Sequence, residues 1–261
     1  MTTTQAYRTA LVTGASRGIG AAIVRALRAE GLEVWAVARS AEALAALAAE
    51  TGCRPLPLDV TDTAALEAAI GPLELDVLVV NAGAVSAVKR LFEMGRHELD
   101  RMLDLNVKAA FHTVRVALPG MVARRRGHVF LLSSISAHHP YPAMAVYTAS
   151  KAAVSMLAQN LRLDLVGTGI RVSELAPGRV ETDIYLDAMG GDRALVQERL
   201  YRGFRSIRPE EVARVLVAAL RLPPHVDLAR IDIVPTDQAF GGVVLAHLAE
   251  AEAQGRESSQ R

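Results

Sequence analysis

Three side chains with complementary chemistry lie near the middle of the sequence. Tyr147 and Lys151 are four residues apart, so a helix places them on one face. A phenol with a pKa near ~10 is a poor base at neutral pH, but a neighbouring ammonium group favours the phenolate. Ser134 precedes the pair, and its hydroxyl can stabilise negative charge on a substrate oxygen. We expect Tyr147 to act as acid or base, with Lys151 lowering its pKa. The alternative is a core tyrosine beside a surface lysine.

The residues around this trio are polar but less specific. We assign the two neighbouring serines, Ser133 and Ser136, to the end of a strand and to a turn. Tyr141 lies between two prolines that oppose helix formation, which predicts a loop beside the pocket. His138 and His139 lie in the same stretch, where either a substrate contact or a solvated position fits them.

Two features further along the chain bear on the substrate. Arg179 is a candidate partner for a substrate carboxylate, and a solvent-facing arginine is the alternative. The segment Asp183–Arg205 contains Gly190 and Gly191. It is a candidate for a mobile lid that excludes water from the site.

Short apolar runs that alternate with longer helical segments position these residues. The runs are nearly unbroken Val, Ile and Leu, which is typical of buried parallel strands. The predicted strands are Thr9–Thr13, Glu33–Ala38, Arg54–Leu58, Asp76–Asn81, His128–Ser133, Arg171–Leu175 and Arg230–Val234. The predicted helices are Ile19–Ala29, Ala41–Ala49, Thr63–Ile70, Arg96–Ala117, Val146–Leu165, Asp183–Arg202 and Pro209–Leu222.

This alternation predicts an α/β protein with a single-domain, doubly wound Rossmann fold. We expect a parallel sheet of about seven strands with helices on both faces. Residues 1–249 are assigned to this domain, and the polar residues 250–261 are expected to form a disordered tail.

A glycine-rich turn follows the first strand and opens a helix. Gly14 permits a tight turn, Gly18 lets the backbone approach a phosphate, and Gly20 lets the helix pack close to the sheet. The helix N-terminus offers free N–H groups to a pyrophosphate. The turn therefore predicts a dinucleotide site, with a purely structural turn as the alternative. The site residues are Gly14, Ser16, Arg17, Gly18, Ile19 and Gly20.

The residues at the end of the second strand favour one dinucleotide. No carboxylate occurs between Val34 and Ala41, whereas NAD sites usually place Asp or Glu there. Arg39, followed by Ser40, can bind a 2′-phosphate bidentately, and Arg17 supplies a second positive charge. The pattern predicts NADP(H) as the cofactor.

Two further strand ends complete the predicted cofactor crevice. Asp59 and Val60 follow the third strand, where the Asp59 carboxylate either accepts from the adenine amino group or only caps the next helix. Asn81, Ala82 and Gly83 end the fourth strand, and small residues there keep the floor of the crevice open. Ligands of doubly wound sheets bind at such strand ends.

Composition argues against several other classes of protein. The formal net charge of +1 gives no reason to expect nucleic acid or an anionic membrane as a partner. No apolar run approaches the roughly 20 residues of a transmembrane helix, and the N-terminus does not resemble a signal peptide. The single cysteine, Cys53, fits a reducing cytoplasm. No spacing of His, Asp and Glu resembles a metal site. We expect a cytoplasmic protein that acts on a small molecule.

These motifs resemble, in order and spacing, those of the short-chain dehydrogenase/reductase family. The resemblance covers residues 9 to about 183 and rests on Thr13-Gly14-x-x-x-Gly18-x-Gly20, Asn81-Ala82-Gly83, Asn106, Ser134, Tyr147-x-x-x-Lys151 and Pro177-Gly178-x-Val180-x-Thr182. It implies that Tyr147 is the acid/base and that Lys151 also binds the nicotinamide ribose. It implies further that Asn106 holds a water in a proton relay. The residues implied to border the nicotinamide are Pro177, Gly178, Val180 and Thr182.

The same resemblance bears on assembly and substrate. It implies a homodimer or homotetramer built on Arg96–Ala117 and Val146–Leu165, which carry apolar residues on more than one face. The C-terminal part resembles a subgroup that acts on small hydroxy acids and related alcohols or ketones. The favoured hypothesis is an NADP(H)-dependent oxidoreductase of a small carbonyl or alcohol. The alternatives are a 3-oxoacyl thioester reductase and a catalytically silent NADP-sensing protein.

Overall fold

A single parallel sheet of seven strands forms the centre of the protein, in the order β3-β2-β1-β4-β5-β6-β7. The computed structural model describes residues 7–203 and 205–238, so the predicted tail and the end of the predicted domain lie outside the described residues. The strands are β1 Thr9–Thr13, β2 Glu33–Ala38, β3 Arg54–Pro57, β4 Val77–Val80, β5 Gly127–Leu132, β6 Ile170–Pro177 and β7 Arg230–Ile233. The predicted doubly wound Rossmann fold is confirmed.

Helices connect the strands and cover both faces of the sheet. They are α1 Gly18–Ala29, α2 Ala41–Thr51, α3 Thr63–Ile70, α4 Arg96–Leu103, α5 Ala109–Arg124, α6 Ala145–Asp164, α7 Arg193–Val196 and α8 Pro209–Leu220. Several begin at a side-chain cap, because a carboxylate or hydroxyl there satisfies a free backbone N–H. Ser40, Asp62 and Asp192 each accept such a bond at the starts of α2, α3 and α7. No helix in the described ranges is long and apolar enough to cross a membrane.

Two apolar cores lie on opposite faces of the sheet. Successive strand residues point to opposite faces, so Val12 of β1 belongs to one core and Leu11 to the other. Phe130 of β5 is fully buried in the first core, together with residues of α1 and α8. Val129 and Leu131 pack in the second, together with residues of α5 and α6. Burial on both faces explains the unbroken apolar runs of the sequence.

The predicted helix from Arg96 is longer and less regular than expected. It continues from α4 through one π-helical turn, Asp104–Lys108, into α5, which ends at Arg124. Single π-helical turns inside α-helices often lie at functional sites. This turn carries Asn106, whose side chain is buried.

The predicted helix over Asp183–Arg202 is wrong. The segment instead forms two short 3-10 turns, the brief helix α7 and a π-helical turn that ends at Tyr201. Gly190 and Gly191 have φ values of 65° and 83°, a left-handed conformation that terminates a helix and that glycine adopts readily. The chain restarts at Asp192, whose side chain caps α7.

Candidate active site

A groove of about 610 Å³ crosses the carboxyl ends of the first four strands. It lies at the point where the strand order reverses between β1 and β4, where ligands of doubly wound sheets bind. Most of the predicted cofactor residues line it: Gly14, Ser16, Arg17, Gly18, Ile19, Arg39, Ser40, Asp59, Val60, Asn81, Ala82, Gly83 and Thr182. The structure therefore brings together residues that are far apart in the sequence.

The glycine turn beside this groove has the conformation that the sequence predicts. Gly14 and Gly18 have φ values of 66° and 54°. Gly20 does not line the groove. It packs beneath the turn, and a Cβ at Gly20 would lie 2.2 Å from the Gly14 carbonyl oxygen. The Asn81 side-chain amide fixes the turn from β4 by donating to the carbonyl of Thr13 at 2.9 Å and to that of Gly14 at 3.2 Å.

Positive charge lies at the β2 end of the groove. Arg17 and Arg39 are both exposed and both line it. Partial burial alone would raise the pKa of Asp59, but hydrogen bonds from Thr61 and the charges of Arg39 and Arg101 lower it. Asp62, rather than Asp59, accepts the capping bond of α3, so Asp59 is not the cap. A dinucleotide with a 2′-phosphate fits this arrangement of a glycine turn, the start of α1 and two arginines.

A smaller cavity of about 170 Å³ opens where the groove meets the ends of β5 and β6. It brings together the remaining predicted residues Ser134, Tyr147, Lys151, Pro177, Gly178 and Val180. Three residues with open alternatives, Ser136, Tyr141 and Arg179, also line it. Sequence reasoning singled out none of Met144, Ile184, Tyr185, Tyr201 and Gln238, which also line the cavity.

Ser134, Tyr147 and Lys151 form a buried, connected group in this cavity. Ser134 lies close enough to Tyr147 to act on its pKa. The Ser134 hydroxyl donates to the Pro177 carbonyl at 3.3 Å. Lys151 Nζ lies 5.9 Å from the centre of the Tyr147 ring and donates to the Leu132 carbonyl at 2.9 Å. The helix α6 therefore holds phenol and ammonium next to the end of β5.

Burial controls the protonation of this group. Exclusion of water raises the pKa of Tyr147 well above its usual value, although the neighbouring Ser134 acts in the opposite direction. Exclusion of water also lowers the pKa of Lys151 to about 8. Lys151 is not among the groups that shift the pKa of Tyr147. The prediction of a lowered tyrosine pKa is therefore wrong for this structure, because desolvation outweighs the expected effect of the lysine.

Asn106 lies behind the cavity rather than in its wall. Its side-chain oxygen accepts from the Ala84 amide at 2.9 Å, and its side-chain amide donates to the Ser150 hydroxyl at 3.0 Å. A Cβ at Gly83 would lie 3.3 Å from Asn106 Oδ1 and 3.4 Å from Lys151 Nζ. Asn106 is thus a near neighbour of Lys151, and its role in a water relay stays a prediction.

Tyr201 is the most connected of the residues that sequence reasoning missed. Its hydroxyl accepts from the Thr182 amide at 3.2 Å and lies 3.0 Å from the carbonyls of both Val180 and Thr182. It thereby links the segment after Thr182 to the turn predicted to border the nicotinamide. A tyrosine in a polar helical segment carries no spacing signal of its own.

Within residues 7–203 and 205–238, no group of three or more His, Cys, Asp or Glu side chains is arranged to hold a metal ion. The candidate chemistry rests on the groove and the adjoining cavity.

Comparison with known proteins identifies the family. A family model described as short chain dehydrogenase matches residues 8–189. An uncharacterised short-chain type dehydrogenase/reductase of Sinorhizobium fredii is 42% identical over 93% of this chain and 97% of its own length. An NADP-dependent 3-hydroxy acid dehydrogenase of Salmonella typhi is 34% identical over 89% of this chain and 97% of its own.

A solved structure agrees with this assignment. The closed form of serine dehydrogenase complexed with NADP+ superposes with a TM-score of 0.87 and 32% identity, covering 92% of this chain and 99% of that one. The chain belongs to the short-chain dehydrogenase/reductase family.

Proposed function

We propose that this protein is an NADP(H)-dependent oxidoreductase that interconverts a small carbonyl compound and its alcohol. The observation that carries the proposal is the buried group of Ser134, Tyr147 and Lys151 at the junction of a dinucleotide groove and a small cavity. The similarity to an NADP-dependent 3-hydroxy acid dehydrogenase and to an NADP+ complex of serine dehydrogenase supports the cofactor.

The side chains divide the chemistry between them. NADPH, when bound, supplies the hydride that reaches the carbonyl carbon. Tyr147 donates its proton to the carbonyl oxygen, and Ser134 donates a hydrogen bond to the same oxygen as negative charge develops there. The raised pKa keeps Tyr147 protonated at neutral pH, which suits it to the reductive direction. Lys151 binds the nicotinamide ribose, and Asn106 connects the site to solvent through a water.

The lining of the cavity selects a small, acidic substrate. A volume of about 170 Å³ is well below the roughly 300–1,000 Å³ of pockets for drug-sized ligands. Its charged lining residues, within the part of the chain that the structure describes, are Lys151 and Arg179, with no Asp or Glu. Burial raises the pKa values of the neighbouring Tyr141, Tyr185 and Tyr201, and the positive charge of Arg179 acts in the opposite direction. Arg179 is our candidate for binding the substrate carboxylate.

The two alternative functions fit the site less well. The small cavity disfavours the acyl chain of a 3-oxoacyl thioester. A protein that only senses NADP has no use for a buried acid–base trio, whose lysine is costly to desolvate.

Assembly and compartment form part of the same proposal. Phe111 of α5 and Met156 and Leu163 of α6 are large apolar residues that remain exposed. Their position on the two helices expected to form the interface supports a homodimer or homotetramer. The single cysteine, Cys53, is a buried free thiol, which suits a reducing cytoplasm.

A matched substrate panel tests the proposal. We would measure NADP+ reduction with 3-hydroxypropanoate and L-serine, and with 1,3-propanediol and ethanolamine as counterparts that lack the carboxylate. We expect a preference of tenfold or more in kcat/KM for the acids, and no turnover of any panel member would contradict the proposal. Arg179→Leu should lower kcat/KM for the acids about tenfold and leave that for the compounds without a carboxylate within twofold. Arg202→Leu, which removes an exposed arginine outside the cavity wall, is the control.

A further inference from the structure

A fully buried carboxylate lies directly behind the catalytic trio. Glu174 belongs to β6 and has 0% exposed surface. Burying a carboxylate is costly unless it is hydrogen-bonded, so the partners of Glu174 show what the residue is retained for. None of the roles proposed above uses it, and it does not line the groove or the cavity.

The partners of Glu174 come from the two elements that carry the catalytic side chains. Ser133, at the end of β5, donates to Oε1 at 2.5 Å. Ser155, on α6, donates to Oε2 at 3.0 Å. Both serine side chains are almost completely buried. One carboxylate therefore joins the strand end that precedes Ser134 to the helix that carries Tyr147.

A third partner closes the arrangement from the loop after Ser134. His138 Nε2 lies 3.4 Å from Glu174 Oε1 and 3.3 Å from the Ser155 hydroxyl. His138 caps the short 3-10 turn that begins directly after Ser134. The imidazole thus faces this buried network, and we call Glu174, Ser133, Ser155 and His138 the Glu174 bracket.

The spacing on α6 places Ser155 of the Glu174 bracket in line with Tyr147 and Lys151. Tyr147, Lys151 and Ser155 follow one another at intervals of four residues and share one face of the helix. Each meets the segment at the end of β5: Tyr147 lies beside Ser134, Lys151 donates to the Leu132 carbonyl, and Ser155 is linked to Ser133 through Glu174. Of these three contacts, the one through Glu174 lies farthest from the cavity.

We propose that Glu174 is a positioning residue that fixes the separation between Ser134 and Tyr147 by holding β5 and α6 together. A misplacement of about 1 Å at reacting groups costs on the order of 100-fold in rate, so loss of one bond of the bracket should lower kcat. This inference rests on the catalytic roles proposed for Ser134 and Tyr147.

Two buried serines on neighbouring elements give a matched test. Ser155→Ala removes one bond of the bracket. Ser173→Ala is the control, because Ser173 is equally buried on the adjacent residue of β6 but bonds His128 and Asp227 instead. Using the fastest substrate of the panel, we expect Ser155→Ala to lower kcat fivefold or more, with the NADPH Kd and substrate KM within twofold. Ser173→Ala should keep kcat within twofold. Equal kcat values in the two variants would overturn the proposal.

Substitution of the carboxylate itself separates geometry from charge. Glu174→Gln keeps the shape, and the serine hydroxyls can rotate to suit an amide, so kcat should stay within about threefold. The kcat of Glu174→Leu should fall at least tenfold further than that of Glu174→Gln. Equal losses of kcat in the two folded variants would contradict positioning by hydrogen bonds. If Glu174→Leu does not fold, the serine pair decides alone. Tyr147→Phe belongs in the same series, and full activity of this variant would refute the proposed catalysis. If Tyr147→Phe loses activity but Ser155→Ala keeps the wild-type kcat, only the role of the Glu174 bracket is refuted.

Discussion

The buried lysine makes the stability of this protein depend on pH in a defined direction. Lys151 has a pKa of about 8 in the folded protein, against 10.5 for an exposed lysine, because burial disfavours the ammonium form. Between these two values the unfolded chain binds more protons than the folded one, so stability rises with pH. At about 1.36 kcal/mol for each pKa unit, the whole difference corresponds to about 3 kcal/mol. The Lys151 ammonium thus destabilises the fold at neutral pH.

Substitution by methionine should remove this pH dependence. Lys151→Met keeps an unbranched chain of similar length and has no group to protonate. The difference in free energy of unfolding, wild type minus variant, should increase by about 1.3 kcal/mol between pH 7 and pH 9. We would measure it by urea unfolding at both pH values, without added nucleotide, from circular dichroism.

A matched lysine shows whether the effect belongs to the buried position. Lys108 is exposed and pairs with Asp104, which raises its pKa. Lys108 stays protonated in the folded and the unfolded state over this pH range. The difference in free energy of unfolding between the wild type and Lys108→Met should therefore be the same at pH 7 and pH 9. If the Lys151→Met difference were constant within about 0.3 kcal/mol from pH 7 to pH 9, the argument from desolvation would be refuted.

Three further predictions concern the cofactor and the proton. Arg39→Asp should raise the KM for NADPH tenfold or more and leave that for NADH within threefold, because a carboxylate repels the 2′-phosphate; equal changes in the two KM values would contradict this role. Gly20→Ala should lower the Tm and weaken NADPH binding, since its Cβ would lie 2.2 Å from the Gly14 carbonyl oxygen; calorimetry and fluorescence titration check both. Because burial raises the pKa of Tyr147, the ratio of the alcohol oxidation rate to the carbonyl reduction rate should rise steadily from pH 7 to pH 9; parallel profiles would refute this.

The strands and the glycine turn were predictable because their signals are local. Unbroken Val, Ile and Leu mark the buried central strands, and the predicted strand ends differ from the observed ones by at most two residues. The Tyr147–Lys151 pair was equally visible, since helical spacing alone places both side chains on one face.

What the sequence did not show depends on contacts between distant segments. Tyr201 and Gln238 reach the cavity from segments with no motif, and only the folded chain brings them to the turn at Val180. The direction of the Tyr147 pKa shift depends on how much water the closed cavity admits, which spacing cannot reveal.

Two signals were present in the sequence and open to a better interpretation. Gly190, Gly191 and the capping Asp192 stand in the middle of the segment predicted as one helix, and such residues interrupt helices. Glu174 is a carboxylate within the predicted buried strand Arg171–Leu175. A charged residue at such a position needs buried partners, and the Glu174 bracket supplies them.

The central claim, that Tyr147 transfers the proton, is tested most directly by removing one oxygen atom. Tyr147→Phe keeps the buried ring and deletes the hydroxyl, and stopped-flow measurement of NADPH oxidation with the aldehyde of the best panel substrate reports the step itself. We predict a fall in the rate of about 100-fold or more, with the NADPH Kd unchanged within threefold. A Tyr147→Phe protein that retains more than about a third of the wild-type rate would contradict the account.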